Sequence, residues 1–346
     1  MTSLDDTRIS HVHPLVSPAV LGEELPMTDD DVTAVTAARE TVRRIIAGED
    51  ARLLVIVGPC SIHDVDAALE YAERLRAVAD EVADALFVVM RVYFEKPRTV
   101  VGWKGLINDP HLDGSFRINE GLRLARRLML AVNRLGLPAA TEFLDTTFGQ
   151  FYADLVSWAA IGARTTESQI HRQLASGLSM PVGFKNRTDG DVKVAVDAIR
   201  AAARSHLFPT LTREGAPAIF ETAGNPDGHL VLRGGDSGPN FEAHAVAGAI
   251  RLLSEGGLDP AIVVDASHGN SGKDPARQPA VVRDVVAQRR AGTSALRGVM
   301  IESNLLGGRQ DSDGGGLKAL ERGRSITDGC LDFEGTADLL RELAGG

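Results

Sequence analysis

The most constraining feature of this sequence is a series of eight short apolar runs, each separated from the next by a longer segment. Unbroken short runs of this kind are typical of parallel strands that are buried on both faces. Between several of them, apolar residues recur at helical spacing, as in Ala68, Tyr71, Leu75 and Val78. Eight parallel strands joined by helices predict a closed α/β structure, the (β/α)8 or TIM barrel. The runs span residues 53–57, 87–92, 139–143, 158–163, 182–185, 229–233, 261–265 and 299–302.

Two additions to the barrel are predicted. Residues 1–50 contain several prolines and then Thr28, which is followed by three aspartates and by apolar residues at helical spacing up to Ile45, so they predict an arm and one helix. Residues 51–346 then form the barrel. Within them, the apolar run 218–222 lies just before the sixth strand, and the turn residues 225–228 between the two predict an extra β-hairpin.

Length and composition bound the class of protein. A chain of 346 residues exceeds the usual size of one core, so it forms either two ordinary domains or one large barrel with additions. We see no repeat or low-complexity linker, which favours the single decorated barrel. A net charge of −10 without a Lys/Arg run argues against binding to nucleic acid or to a membrane surface. The acidic N-terminus and the lack of a long apolar stretch predict a cytoplasmic protein.

Polar side chains follow the predicted strands, at or just beyond the point where each strand ends. In an α/β barrel the carboxyl ends of all strands meet on one face, and active sites are built there. Residues that are far apart in the sequence are therefore expected to line one pocket. They are Cys60, Arg91, Lys96, Glu142, Arg164, Lys185, Arg233, His268 and Glu302.

Five of these side chains are cationic. Each one alone could pair with a nearby acid as an ordinary ion pair at the barrel rim. Five together would repel each other strongly unless a multiply charged anion lay between them. The pattern therefore favours a phosphate or carboxylate ligand bound by Arg91, Lys96, Arg164, Lys185 and Arg233.

A second group offers donor atoms for a metal ion. Cys60, His268, Glu302 and Asp328 supply one sulfur, one nitrogen and two oxygens. Such a mixed set suits Mn, Fe, Co or Zn better than Mg or Ca. The alternative is that Cys60 is core and that His268 is a hydrogen-bonded loop residue. The sequence shows no HExxH, GxSxG or Walker A pattern, which argues against a zincin, an α/β-hydrolase and a P-loop enzyme.

Several motifs in this sequence together point to one family. They are GPCSIHD at 58–64, MRVYFEKPRT at 90–99, GARTTESQ at 162–169, GFKN at 183–186 and SITD at 325–328. They closely resemble the type I 3-deoxy-D-arabino-heptulosonate 7-phosphate (DAHP) synthases, in the subfamily inhibited by Phe, Tyr or Trp. The resemblance extends from about residue 5 to the C-terminus.

The resemblance implies a reaction as well as a barrel. The family condenses phosphoenolpyruvate with erythrose 4-phosphate and water and releases phosphate, at the first step of the shikimate pathway to aromatic amino acids. It uses one divalent metal ion and no organic cofactor. By resemblance, the metal ligands are Cys60, His268, Glu302 and Asp328. Arg98 and Thr99 match the residues that hold the aldose phosphate. The residues around phosphoenolpyruvate are Arg91, Lys96, Arg164, Lys185 and Arg233, with Glu142 and Ala163 nearby.

Catalytic roles follow from this chemistry as hypotheses. Attack by C3 of the enol on the aldehyde leaves negative charge on the aldehyde oxygen, which an acid or a metal ion near it stabilises. We expect Lys96 to donate that proton. Water then adds at C2, activated by Glu142 or by a hydroxide on the metal, before phosphate leaves. His268 and Asp328 enter the predicted catalytic set as metal ligands.

Two rival functions remain open at this stage. The sister family that makes 3-deoxy-D-manno-octulosonate 8-phosphate shares the barrel but typically carries Lys-Ala-Asn-Arg where this chain has Lys-Pro-Arg-Thr at 96–99, which favours the four-carbon aldehyde. A non-catalytic paralogue that binds an aromatic amino acid is the other rival. The intact metal and phosphate motifs argue against it.

Regulation and assembly are predicted by resemblance. In this subfamily the N-terminal extension helps to build the oligomer interface and an inhibitory pocket, so we expect a homodimer or homotetramer inhibited by one aromatic amino acid. Gly149 stands where a proline is usual and would loosen the turn. Cys330 lies two residues beyond Asp328, so oxidation could join it to Cys60, although simple burial explains it equally well. The predicted regulatory residues are Asp5, Asp6, Gln150, Ser179, Phe208 and Thr210.

Overall fold

Eight parallel strands close into a barrel in a computed structural model that describes residues 4–98, 100–312 and 316–345. Around the barrel the order is β1-β2-β3-β4-β5-β8-β9-β10, and β10 pairs with β1 to close it. The strands are, in chain order, β1 Leu53–Gly58, β2 Leu86–Arg91, β3 Ala139–Glu142, β4 Trp158–Ile161, β5 Val182–Lys185, β6 Leu207–Leu211, β7 Pro217–Glu221, β8 Gly228–Leu232, β9 Ile262–Asp265, β10 Leu296–Glu302, β11 Leu306–Arg309 and β12 Arg324–Ser325.

Helices precede the barrel and connect its strands. Four short 3₁₀ segments supplement them in the described residues, at Phe148–Phe151, Ala153–Leu155, Pro275–Arg277 and Leu317–Ala319. The α-helices are α1 Pro18–Glu24, α2 Asp29–Ala47, α3 Val65–Glu81, α4 Ile118–Arg134, α5 Gln169–Gly177, α6 Lys193–Ala202, α7 Ala243–Glu255, α8 His268–Ser271, α9 Gln278–Arg290 and α10 Phe333–Gly345.

The N-terminal helix begins where its sequence predicts. Thr28 caps α2 by accepting a hydrogen bond from the backbone N–H of Asp31, and Asp31 accepts one from the N–H of Thr28, which completes a capping box. The arm also contains the short helix α1, which the proline-rich sequence does not predict. Its start follows a familiar rule, because Ser17 caps it and Pro18 occupies its first turn.

The extra hairpin exists, but the strand that pairs with the predicted run and the turn that connects the two differ from the prediction. The run around 218–222 pairs antiparallel with β6, from Leu207↔Glu221 to Leu211↔Pro217, so the turn lies at 212–216. The residues predicted as a turn at 225–228 do form one, at Pro226 and Asp227, but this turn leads into β8 and does not connect the two hairpin strands. There the buried Asn225 donates hydrogen bonds to the carbonyls of Leu178 and Met180, which directs the chain into β8.

The barrel interior is filled with side chains up to its carboxyl end. Inward-facing residues such as Leu54, Trp158 and Met300 are fully buried, and the Trp158 indole donates a hydrogen bond of 2.9 Å to Nε2 of His229. A filled interior confines any binding site to the mouth formed by the strand ends. Among the described helices, none is long and apolar enough to cross a bilayer.

Candidate active site

The carboxyl ends of the barrel strands bring the predicted polar residues together. Arg91, Lys185 and Glu302 are the last residues of β2, β5 and β10. Cys60 lies two residues after β1, and Arg233 follows β8 directly. Contacts across the mouth join them: Arg91 Nη2 lies 3.2 Å from Glu302 Oε1 and 3.4 Å from the carbonyl oxygen of Cys60. Barrel closure therefore places residues more than two hundred positions apart within hydrogen-bond distance.

Three of the four predicted metal ligands form one cluster. Single donor atoms of Cys60, Glu302 and Asp328 all lie within 4.8 Å of one another. The Cys60 thiol is fully buried, and burial together with the charge of Glu302 raises its pKa to about 11. Lys96 Nζ lies 3.2 Å from Cys60 Sγ, and the hydroxyl of Thr327 lies 3.1 Å from it. The cluster thus concentrates anionic and sulfur donors.

The fourth predicted ligand, His268, lies beside this cluster and outside its 4.8 Å group. Burial would raise the pKa of Asp328, but the neighbouring His268 and Lys96 outweigh burial and lower it. His268 opens α8 with a φ of 53°, a left-handed conformation that is uncommon for a histidine. Its Nδ1 lies 2.7 Å from Ser267 Oγ and 3.0 Å from Asp265 Oδ2. The loop therefore holds the ring by one nitrogen.

The donor set fits a divalent cation. Two carboxylates and a buried thiol would repel one another as anions, and a positive ion between them removes that repulsion and favours the thiolate. One sulfur and two oxygens, with an imidazole nearby, suit Mn, Fe, Co or Zn.

Two of the five predicted anion-binding cations are paired with acids. Arg91 is fully buried against Glu302, and its guanidinium lies 4.0 Å from the centre of the Tyr93 ring. Lys185 Nζ lies 2.9 Å from Oδ2 of Asp265, which is also fully buried. The alternative that individual cations pair with nearby acids therefore applies to these two.

The other three cations have no carboxylate partner within 4 Å among the described residues. Arg233 is buried beside β8, and burial lowers its pKa, with a smaller contribution from the charge of Arg164. Arg164 is exposed at the mouth. Burial would lower the pKa of Lys96, but Cys60 and Glu302 outweigh burial and raise it. Uncompensated positive charge thus remains at the mouth for an anionic ligand.

Glu142 and Ala163 lie at the ends of neighbouring strands. Glu142 ends β3 with its carboxylate packed over Gly162, where a Cβ atom would meet Oε1 at 2.2 Å. Gly162 is therefore needed for Glu142 to face the mouth, and the partly buried Ala163 follows it. Arg98, on the segment that follows Lys96, is exposed and donates to the carbonyl of Trp103. Thr99 lies outside the described residues.

Backbone contact fixes two of the loops that carry site residues. The N–H of Gly269 donates to the carbonyl of Arg233 at 3.0 Å. A Cβ on Gly234 would lie 2.5 Å from the carbonyl carbon of Gly269, so the two loops pack directly backbone to backbone. This contact sets the position of His268 relative to Arg233.

The sequence interpretation missed three buried residues at the mouth. Asp265 ends β9 and contacts both Lys185 and His268. The ring of Tyr93 lies between Arg91 and Lys96, and its buried hydroxyl has no hydrogen-bond partner in the described residues. Glu95 precedes Lys96. Tyr93 and Glu95 belong to the motif at 90–99, so that motif was the available signal, and Asp265 ends the seventh predicted strand.

Glu95 is a buried acid between the mouth and the loop that follows β3. It accepts hydrogen bonds from the backbone N–H of Asp145 at 3.2 Å and from the Tyr152 hydroxyl at 3.1 Å. Burial and the charge of Asp145 raise its pKa to about 8. At neutral pH the carboxyl group is therefore mostly protonated.

The predicted regulatory residues are only partly brought together. Gln150 donates from Nε2 to the carbonyl of Leu211 at 3.3 Å, and Phe208 packs on Phe220 on the same hairpin face as Thr210. Ser179 follows α5 and is exposed, and Asp5 and Asp6 are exposed on the arm.

Gly149 is part of a packed turn. It lies in the segment Phe148–Phe151, and a Cβ there would meet the Phe143 ring at 2.8 Å. The glycine therefore makes room for an aromatic ring, and the expectation that it loosens the turn stays a prediction.

The two cysteines are both buried and free. Burial raises the pKa of the Cys330 thiol, and the nearby Cys60 adds to this rise. The pairing of the two cysteines under oxidation stays a prediction.

Fold and site together define a (β/α)8-barrel enzyme whose mouth combines a metal-type donor cluster with unpaired cations. Residues 27–341 match the DAHP synthetase I family, and the chain belongs to that family.

Named relatives match nearly the whole chain. The Trp-sensitive phospho-2-dehydro-3-deoxyheptonate aldolase of Escherichia coli O157:H7 is 54% identical over 99% of this chain and 98% of its own length. The Phe-sensitive enzyme of Escherichia coli K12 is 54% identical, over 98% and 96%. A phospho-2-dehydro-3-deoxyheptonate aldolase structure from Francisella tularensis SCHU S4 superposes with a TM-score of 0.94 at 48% identity, covering 97% of both chains. The predictions of the family, the barrel with its hairpin and a DAHP synthase function are confirmed.

Proposed function

We propose that this chain condenses phosphoenolpyruvate with erythrose 4-phosphate and water to give DAHP and phosphate, with one divalent metal ion held by Cys60, His268, Glu302 and Asp328. The observation that carries the proposal is the cluster of Cys60, Glu302 and Asp328 with Lys96 Nζ 3.2 Å from Cys60 Sγ. A Lewis-acid site and a protonated amine then lie side by side at the barrel mouth. The ion is one of Mn, Fe, Co and Zn, and when bound it would polarise the aldehyde carbonyl.

Binding of phosphoenolpyruvate uses the cations of the mouth. Arg164 and Arg233 lack carboxylate partners in the described residues and provide free positive charge for the phosphate and carboxylate groups. Arg91 and Lys185 are buried and already oriented by Glu302 and Asp265. Because these donors are fixed before the ligand arrives, little entropy is lost in ordering them. The exposed Arg98, together with Thr99, holds the phosphate of the aldose.

Lys96 and Glu142 carry the proton transfers. C3 of the enol forms a bond to the aldehyde carbon, and the aldehyde oxygen takes a proton from Lys96 Nζ. Neighbouring negative groups raise the pKa of Lys96, which keeps it protonated for this step. Water then adds at C2 while Glu142 accepts its proton, and cleavage of the C2–O bond releases phosphate.

The test is the ultraviolet loss of phosphoenolpyruvate on chelator-treated protein, with and without Mn(II). Erythrose 4-phosphate is added in one arm and arabinose 5-phosphate in the other. We expect metal-dependent loss with the four-carbon sugar only. Loss with the five-carbon sugar would move the chain to the sister activity, and no loss with either would overturn the proposed reaction.

Regulation by an aromatic amino acid is proposed for the hairpin face, formed by β6, β7, the 3₁₀ segment Phe148–Phe151 and the end of α5. Ser176 and Thr222 join α5 to the hairpin through a 2.8 Å contact between their hydroxyls, and Gln150 joins the 3₁₀ segment to it. Relatives are named for sensitivity to Trp, Phe or Tyr. Asp5 and Asp6 reach this face from the arm of a neighbouring subunit, which makes residues 1–50 the regulatory and oligomer segment.

Assembly into a homodimer or homotetramer accompanies this proposal. The hairpin exposes Leu207 and Ile219, and the arm exposes Ile9 and Val12, so both carry apolar surface that a second subunit would cover. Light scattering measures the mass of the assembly, and titration with each of the three amino acids measures inhibition. A monomer would overturn the arm arrangement, and the absence of any inhibition would overturn the effector proposal.

A further inference from the structure

Asp265 is a buried charge at the mouth with no role in the reaction described above. Its side chain is fully buried at the end of β9, and four donors surround it. Oδ1 lies 3.0 Å from the N–H of Ser267 and 2.6 Å from its hydroxyl. Oδ2 lies 2.9 Å from Lys185 Nζ and 3.0 Å from Nδ1 of His268. One carboxylate therefore contacts both the anion-binding side and the metal-binding side of the mouth.

These contacts determine which nitrogen of His268 carries the proton. The charged carboxylate only accepts hydrogen bonds, so the Ser267 hydroxyl donates to Oδ1 and keeps its lone pairs for a second partner. Nδ1 of His268 then faces two acceptors, Ser267 Oγ at 2.7 Å and Asp265 Oδ2 at 3.0 Å. It must carry the hydrogen, which leaves the lone pair on Nε2. A histidine binds a metal ion through that lone pair. Histidines that bind metal usually donate the hydrogen on their other ring nitrogen to an acceptor such as a carboxylate, which orients the ring.

The other half of the carboxylate's role is electrostatic. Asp265 is fully buried and its Oδ2 lies 2.9 Å from Lys185 Nζ, so the ammonium group of Lys185 balances the buried carboxylate. Lys185 in turn is buried and has Asp265 as its acidic partner. The loop is also fixed, since the Asn270 amide donates to the backbone carbonyls of Asp265 and Leu232.

We infer that Asp265 is a positioning residue that serves both halves of the site: it sets the tautomer of His268 for a divalent cation and holds Lys185 for an anionic substrate. The inference rests on the proposed metal site, and it adds a residue that touches neither ligand. Loss of such an orienting partner typically weakens metal binding by about 10–100-fold. We expect this range for Asp265→Asn, because an amide offers one acceptor oxygen to Ser267, Lys185 and His268 in place of two.

The first test reads the tautomer directly in the metal-free wild-type protein. Nitrogen NMR at pH 8 on histidine labelled with ¹⁵N in the ring separates protonated from unprotonated ring nitrogens, and the signals of His268 are those missing from His268→Gln. We expect a hydrogen on Nδ1 and none on Nε2. A hydrogen on Nε2 would overturn the inference without any variant of Asp265.

The second test measures Mn(II) affinity by calorimetry, with phosphoenolpyruvate absent. Asp265→Asn should lose about 10–100-fold, and Ser267→Ala, which keeps the carboxylate, should lose less. The matched control is Asp259→Asn, the same change at an exposed position before the other end of β9. Wild-type affinity in folded Asp265→Asn would overturn the inference. If Asp265→Asn does not fold, the inference is decided by the Mn(II) affinity of Ser267→Ala and by the tautomer of His268 in the wild-type protein.

The two proposals fail in different ways. If wild-type protein bound no Mn(II), the proposed metal site would be wrong. The NMR result would still decide whether Asp265 and Ser267 set the tautomer of His268.

Discussion

The barrel mouth and the hairpin face differ in how firmly their residues are held. At the mouth, Arg91, Asp265 and Glu302 are almost entirely buried, and each contacts groups on other strands. On the hairpin, residues alternate between partly buried and exposed, and Ile219 is 73% exposed. Within the part of the chain that the structure describes, few hydrogen bonds attach the hairpin to the rest of the protein, such as that from the N–H of Ala19 to the carbonyl of Arg213.

The difference separates a firmly held region, where we propose the chemistry, from a less firmly held one, where we propose the regulation. Barrel closure fixes the strand ends, so the geometry of the mouth is determined by the whole sheet. A hairpin with few buried contacts belongs to the part of a protein that moves at low cost in free energy. Changes at the mouth should therefore alter turnover, whereas changes on the hairpin should alter the response to an effector.

The largest effect is expected at Lys96. Lys96→Ala removes the proposed proton donor and the cation beside Cys60, so kcat should fall by about 10²–10⁴-fold at saturating substrates. The measurement is steady-state loss of phosphoenolpyruvate. Lys193→Ala is the matched control, since Lys193 forms only an exposed ion pair with Asp197 on α6. Full turnover in Lys96→Ala would refute the donor role.

The next effect concerns the anchoring of the 3₁₀ segments, one of which belongs to the hairpin face, on α4. Arg126 is buried on α4 and holds Asp154 with two hydrogen bonds of 2.7 and 2.9 Å, together with the carbonyls of Leu25 and Phe151. Arg126→Ala leaves the Asp154 carboxylate and the two carbonyl groups without this hydrogen-bond donor. The substitution should therefore lower the free energy of unfolding by about 3 kcal/mol. Urea unfolding measures this change.

The control for Arg126 lies one turn away on the same helix. Arg123 forms an exposed ion pair with Glu24, and such pairs contribute little. Arg123→Ala should therefore leave the unfolding midpoint nearly unchanged. Equal decreases in the free energy of unfolding of the two variants would show that the buried Arg126 pair stabilises the protein no more than the surface pair does.

The mouth was more predictable from sequence than the hairpin face for a physical reason. Parallel barrel strands are unbroken apolar runs, and their order alone brings Cys60, Lys185 and Glu302 to one end. The hairpin strand β6 alternates in exposure and contains Pro209, so it lacks a clear apolar run. The run at 218–222 alone therefore could not show that this segment pairs with β6.

Pairings within the mouth were also beyond the sequence. The contact of Lys185 with Asp265 joins residues 80 positions apart, and nothing in the local pattern distinguishes a paired cation from a free one. The burial of Glu95 likewise depends on Tyr152, which lies on a different segment. Residue types and strand ends could be predicted, but charge compensation needs three-dimensional neighbours.

A smaller effect is expected on the hairpin face. Phe208→Ala and Gln150→Ala should each weaken inhibition by the effector amino acid by about tenfold, because each removes a contact worth ~1 kcal/mol or more. Turnover without the effector should stay at the wild-type value. Phe116→Ala, the same change at an exposed position before α4 and outside the hairpin, is the control for Phe208. Reduced turnover in the absence of effector would contradict the separation of the two regions.

The last effect appears only as the pH changes, and it tests the residue that links the two regions. Glu95 precedes Lys96 and contacts the loop that leads to Gln150, and its pKa of about 8 lies above the ordinary value of 4.5. Between these two values the folded protein keeps a proton that the unfolded chain has lost, so stability falls as pH rises, by up to about 1.4 kcal/mol per pH unit. Above the upper value this contribution has been lost completely.

Glu95→Gln should remove that pH dependence, because the amide resembles the protonated acid and does not ionise. Urea unfolding from pH 5.5 to 8.5 should give a flatter curve for the variant, with the gain over wild type growing toward high pH. Glu255→Gln, at an exposed position on α7, should follow the wild-type curve. Parallel curves for Glu95→Gln and wild type would mean that Glu95 is ionised when folded. The hydrogen bonds that Glu95 accepts from Asp145 and Tyr152 would then go to a charged carboxylate. Hydrogen bonds to a charged acceptor are stronger than those to a neutral one, so the mouth and the hairpin face would be coupled more tightly.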